Sequence, residues 1–319
     1  MVLNQRAHDG SLADQADPVS LADRRPRVYV HIFYGKDVET YRREYLAGRE
    51  PDETPYGFHL AAQEGFDVSF SRDAPPSTGL VARLARRLPN IDLLHAFSNR
   101  ERIRAADAVW TMTEGEAFAV AALMAFGIVP RRPVIGNAVW LLNNWGSYSG
   151  RRRKLYQYLS RTISVMTVHS RECLPVIRSA LPRLRSELLF FGINTEMFRL
   201  TPPRIEEQTG PLRLFAIGND RTRDWATLLA AFGNDPRFHL TIICWWLTDE
   251  DIARYDNVAV VRSPTMADFR RCYAETDMVV VPMEENIFSG ITVALGGGGA
   301  RQAGACQPHR WAAHVFRRR

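Results

Sequence analysis

From Arg27 onward the chain alternates short apolar runs with longer stretches of helical spacing, and this alternation restricts the fold more than any other feature. Runs at 28–33, 66–70, 91–96, 108–113, 133–142 and 163–168 have the length and the β-branched or aromatic content of buried strands. Stretches at 55–64, 79–88, 116–126, 151–161 and 171–180 read as helices between them, and the unit closes at 188–191. Strands separated by helices imply parallel sheets covered on both faces. A polar segment rich in breakers, 201–211, follows, and a second unit has strands at 212–217, 238–244, 258–261 and 278–281. The expectation is an α/β chain of two Rossmann-like parallel-sheet domains facing a cleft. They occupy 26–200 and 212–295, behind a disordered polar segment 1–25.

Composition narrows the class. An apolar fraction of 46% with mixed charges describes a globular protein. The net charge is +6, but Arg301, Arg310, Arg317, Arg318 and Arg319 supply five of those charges from one acid-free tail. The rest is close to neutral, which removes a global argument for nucleic-acid binding. Cys173, Cys244, Cys272 and Cys306 have neither paired nor metal-ligand spacing, as expected of reduced thiols. No apolar leader or run of spanning length is present, so the expected location is the cytoplasm.

The pattern breaks at Gly296-Gly297-Gly298-Gly299. Four glycines in a helix lose roughly 1 kcal/mol each relative to alanine, so no helix is expected to continue there and the second domain should be incomplete. Dropping one base after Leu295 converts the next stretch to Glu-Ala-Ala-Ala-Leu-Gly-Lys-Pro-Val, a helix, a Gly stop and a strand. Residues 296–319 are therefore read as an out-of-frame tail.

Three blocks carry a family resemblance. They are Leu188 to Phe198 with Gly192-Ile193-Asn194-Thr195-Glu196-Met197-Phe198, Leu214 to Trp225 followed by Leu228-Leu229, and Thr276 to Leu295. In this order they resemble GT-B glycosyltransferases of the family-4 type, over residues 26–295. The resemblance implies a transferase moving a sugar from a nucleoside-diphosphate sugar to a saccharide or lipid-linked saccharide, in surface or exopolysaccharide synthesis. It implies no cofactor beyond that donor. The alternatives are an inactive frameshift product and a sugar-nucleotide epimerase on the same fold.

Ligands of open parallel sheets sit at the C-terminal ends of strands. Gly218 and Asn219 end the first strand of the second unit, and the resemblance puts Arg223 at a position where a Lys meets the diphosphate, with Arg221 as the substitute. Met283 follows the strand 278–281, and Ser289, Gly290, Ile291 and Thr292 open a helix whose free N–H groups suit a phosphate. The family's paired Glu residues are missing: Phe288 stands at the first position and the second exists only in the restored frame. In the first unit Gly35 leaves room beside the cleft. His95, at the end of the predicted strand 91–96, would point into the cleft as the resemblance implies, and Glu114 or Glu116, where a helix opens, is the candidate for taking a proton from an acceptor hydroxyl. No Asp-x-Asp pair is read after a strand, so no metal is expected. Residues 79–88 and 151–159 set arginines against leucines and tyrosines, a pattern compatible with peripheral attachment to an anionic leaflet.

Overall fold

The computed structural model describes residues 24–74, 91–194, 210–286, 289–299 and 303–306. The predicted segment 1–25 up to residue 23, the helix 79–88, most of the linker, Phe288 and the last 13 residues lie outside them. Two parallel sheets organise the chain. The first is ordered β2-β1-β3-β4-β5-β6, with β1 Arg27–His31, β2 Asp67–Phe70, β3 Ala108–Thr111, β4 Val134–Asn137, β5 Val165–Val168 and β6 Ser186–Leu188. The second is ordered β11-β10-β7-β8-β9, with β7 Leu212–Ile217, β8 Phe238–Ile243, β9 Val258–Val261, β10 Met278–Val281 and β11 Ala303–Cys306.

Side chains of β1 point alternately to two cores, as a strand covered on both faces requires. Tyr29 joins the large core, while Val28, Val30 and Ile32 pack with Met112 on the other face. The centre of the large core is the helix Glu114–Ala125, buried from Glu114 through Met124. It lies so close to β4 that a Cβ on Gly136 would come within 2.9 Å of Ala117 Cβ and 2.8 Å of Met166 Sδ. Phe118 of that helix stacks on Tyr156 at 4.4 Å. In the second sheet Leu214 and Ala216 face Trp225, Leu228 and Leu229, and Phe215 faces Tyr273, Val279 and Val293. The two units meet at 191–194. Ile193 packs on the second unit's cluster, whereas Asn194 donates to Asp52 at 2.8 Å and Phe191 meets Tyr56 ring to ring at 5.7 Å.

Three expectations are corrected. Residues 91–96 are not a strand: the helix Leu93–Ser98 starts there, because the Asp92 carboxylate accepts the His95 N–H at 2.9 Å and caps it. The run 133–142 divides into β4 and a short helix, Leu141–Asn144. The glycine run does not end the last helix, which extends over Ile291–Gly299, and β11 then pairs with β10 from Met278↔Ala303 to Val281↔Cys306. Packing overrides propensity here: Ile291, Val293 and Ala294 are buried, and Gly297 approaches Val279 so closely that a Cβ would stand 3.3 Å from its Cγ2.

Candidate active site

The second sheet reverses its winding between β7 and β10: the chain leaves β7 toward β8 and β9, then returns to β10 on the other side. Ligands of doubly wound sheets lie in the crevice at such a switch point. Here two loops are stitched together. Glu284 N donates to Thr222 O at 2.8 Å, Asp224 N to Pro282 O at 3.3 Å, and Arg223 forms an isolated antiparallel bridge with Met283. The Arg223 side chain is 3% exposed; its Nε lies 3.0 Å from Asp220 Oδ2 and its Nη1 2.9 Å from Met283 Sδ. Burial pulls its pKa down, partly offset by the Asp220 charge. A buried cation facing one half-exposed carboxylate is electrostatically suited to a second anion.

Glycines make this arrangement possible. A Cβ on Gly218 would fall 1.9 Å from Arg223 Nε. Gly290 adopts φ +88°, where side chains are strained, and a Cβ there would stand 2.9 Å from Val281 Cγ1 and 3.4 Å from Arg223 Nη1. Gly218, Arg223, Met283, Ser289 and Gly290 are thus brought together as the sequence suggests. The turn is less open than expected at its first residue, because Ser289 N already donates to Asn286 Oδ1 at 2.6 Å. The turn continues into the helix with Ile291 buried and Thr292 exposed. Of the two other candidates, Arg221 is exposed, and Asn219 turns to the next loop, where its Oδ1 accepts Trp245 N at 2.9 Å.

The first sheet has its own switch point, between β1 and β3. His95 reaches it from a helix rather than a strand end. Its ring stacks on that of His31 at 4.8 Å, Nε2 is 3.0 Å from Ile32 O, and Nδ1 is 3.9 Å from Asp73 Oδ1. With Nε2–H donated to the carbonyl, Nδ1 carries the lone pair, and no hydrogen-bond partner meets it. Tyr34 covers the ring edge-on at 5.7 Å. Gly35, at φ +90° with open space where a Cβ would be, donates its N–H to Asp73 Oδ2 at 2.9 Å. Burial and the neighbouring His95 hold His31 well below the ordinary imidazole value.

The two glutamates are fixed by backbone groups. Glu114 accepts Val139 N at 2.8 Å and Trp140 N at 3.2 Å; Glu116 closes a capping box, accepting Thr113 N at 2.9 Å and Thr113 Oγ1 at 2.7 Å. Burial raises both pKa values, against the lowering effect of these hydrogen bonds. Their geometry is that of carboxylates that position loops. Sequence reasoning missed His31, Asp73 and Tyr34, which lie in separate segments and meet only on folding. It also passed over Asp249-Glu250-Asp251, where Asp251 caps Thr248 and Asp249 pairs with Arg262 at 2.7 Å. Among the described residues no group of three or more His, Cys, Asp or Glu could hold a metal ion, and no helix is long and apolar enough to cross a membrane.

No family model matches the sequence, and no curated protein matches it. Solved structures do. A sucrose-phosphate synthase from Thermosynechococcus elongatus is 13% identical with a TM-score of 0.63, over 88% of this chain and 81% of that one. The Anabaena protein HepE, solved in complex with UDP and glucose, is 11% identical with a TM-score of 0.61, over 91% and 83%. The lipopolysaccharide outer core galactosyltransferase WaaB, in its apo form, is 9% identical with a TM-score of 0.52, over 88% and 80%. The fold is the GT-B fold of glycosyltransferases.

Proposed function

We propose that this protein transfers a sugar from a nucleoside-diphosphate sugar to a saccharide or lipid-linked saccharide, as family-4 enzymes of surface polysaccharide synthesis do. The observation that carries this reading is the buried Arg223 at the switch point of the second sheet, roofed by the Gly290 turn. Sugar transfer leaves a nucleoside diphosphate, and a preorganised cation with helix N–H donors stabilises the charge that develops on it. Gly290, Ile291 and Thr292 would direct backbone N–H groups at the same phosphate. On the other side His95, beside Asp73 and beneath Tyr34, would face the acceptor. Glu114 and Glu116 would hold the surrounding loops. The HepE complex with UDP and glucose supports a nucleotide-sugar donor. Calorimetric titration with UDP and GDP, followed by transfer of labelled sugar to a membrane fraction, tests the reading; no binding of either nucleotide would remove it.

The acceptor side would lie near an anionic leaflet. Of the basic helix Gly150–Leu159, Arg152 stacks on Tyr148 at 3.8 Å and Arg153 donates to Gly146 O at 2.7 Å, so the exposed Arg151, Lys154 and Tyr158 would make that contact.

We further propose that residues 296–319 are translated out of frame. The restored line puts Glu and three alanines at 296–299, Gly at 301 and Pro-Val at 303–304. In propensity a helix over Ile291–Gly299 and a strand from Ala303 suit that text better than four glycines do, with Val279 giving way slightly to an alanine at 297. Resequencing around codon 296 decides it: an immediate stop in the other frame rejects the proposal.

A further inference from the structure

The loop after β8 presents two adjacent indoles to solvent. Trp245 is 67% exposed and Trp246 44%. The residues flanking them are buried: Cys244 and Leu247 belong to the second unit's core. The loop is also fastened on both sides. Cys244 N donates to Val261 O at 3.2 Å, Trp245 N donates to Asn219 Oδ1, and Arg262 Nε donates to Leu247 O at 2.6 Å. Immediately beyond, Thr248 caps the helix Asp249–Ile252. Two large apolar side chains are therefore held in place without being covered, an arrangement that marks a ligand surface rather than a loose end.

Its position bears on the ligand. Asn219, which holds the Trp245 backbone, directly follows Gly218, whose Cα lies against the Arg223 guanidinium. In the sheet β8 flanks β7 on the side away from β10. Neighbouring strands are about 4.8 Å apart, so the indoles stand roughly one to two strand spacings from the Arg223 crevice, along the same C-terminal edge. That offset separates the diphosphate of a nucleotide from its base by the width of a ribose. Phosphate itself is disfavoured at the loop, because Asp249, Glu250 and Asp251 open the helix behind it. A flat, uncharged ring suits it.

We propose that Trp245 and Trp246 form the stacking surface for the nucleobase of the donor, and that recognition by ring faces lets the site take both purine and pyrimidine nucleotides. Every base has a π face, so stacking alone discriminates weakly between bases. This inference rests on Arg223 holding the diphosphate, and the experiment separates the two. Wild type, Trp245→Ala, Trp246→Ala and Arg223→Ala are titrated calorimetrically with UDP, GDP and inorganic pyrophosphate, which lacks a base. Both indoles are exposed, so the fold of the Trp variants is retained, as circular dichroism checks. The expected result is UDP and GDP affinities within about tenfold of each other in wild type. Each Trp variant should lose about tenfold or more for both nucleotides and nothing for pyrophosphate, while Arg223→Ala loses all three. Unchanged nucleotide affinity in both Trp variants overturns the stacking surface and leaves the diphosphate site standing. So does an equal loss for pyrophosphate, which makes the loop merely structural. A hundredfold preference between UDP and GDP in wild type shows that base edges are read and overturns the tolerance. Wild type that binds none of the three ligands overturns the diphosphate site and the stacking surface with it.

Discussion

At Arg223 a guanidinium is kept nearly out of water with the Asp220 carboxylate at 3.0 Å and a thioether at 2.9 Å. Removing the side chain should weaken UDP or GDP binding by about 2 kcal/mol, roughly thirtyfold, the usual loss for a charged hydrogen-bond partner. Arg221→Ala should leave affinity within a factor of two, because that side chain is exposed rather than built into the buried loop contact. Gly218→Ala should behave like Arg223→Ala, since its Cβ would occupy the space of Nε. Calorimetry on the three variants tests the set, and equal affinities in wild type and Arg223→Ala would remove that residue from the site. Arg223 was legible in the sequence only through the resemblance, by counting back from Leu228-Leu229, and the structure buries it at the switch point. Asp73 and His31 were not: each is an ordinary polar residue in its own segment, and the value of Asp73 depends on the loop after β2 reaching Gly35.

Elements show where local text and tertiary packing part. The strand-and-helix alternation was readable because buried parallel strands are apolar throughout. The run at 91–96 has the same look, and only the Asp92 cap, three residues ahead of the His95 it serves, distinguishes a helix. The helix through the glycines could not be foreseen, since its support is Val279, Phe215 and Tyr273 from other parts of the chain, on which Val293 and Gly297 pack. Close helix–strand contact makes a second prediction. Gly136→Ala places a methyl against Ala117 and Met166, both buried, and should destabilise the first unit by about 1–3 kcal/mol in urea unfolding. A midpoint equal to that of wild type would mean that the helix yields without loss.

For the whole molecule, two units that each bury their own clusters predict two unfolding events. Scanning calorimetry should resolve them, and saturating UDP or GDP should raise only the one belonging to the second unit. A single transition that moves as a whole would show the cores to be coupled. Acid should also act on the other unit. Asp107 accepts Arg27 N at 2.8 Å and pairs with Arg24 at 2.8 Å, which holds its pKa down at about 2 against an ordinary 3.8. A depressed carboxylate stabilises above its unfolded value and loses that contribution as the pH falls from 3.8 toward 2. Because the pair is solvent-exposed the effect is below about 1 kcal/mol. Asp107→Asn should flatten this part of the acid limb in a pH series of melts, and an unchanged limb would exclude the pair as its source.

The junction at 191–194 has a mechanical meaning. Phe191 and Asn194 are fixed to the first unit through Tyr56 and Asp52, while Ile193 between them is seated in the second unit's cluster. Neighbouring residues gripped by different bodies would act as a pivot: were one body to swing on the other, this point would stay still. Displacement then grows with distance from the pivot, like the tips of a pair of tongs, so labels placed near the junction should report almost no movement in a swing that distant labels see in full.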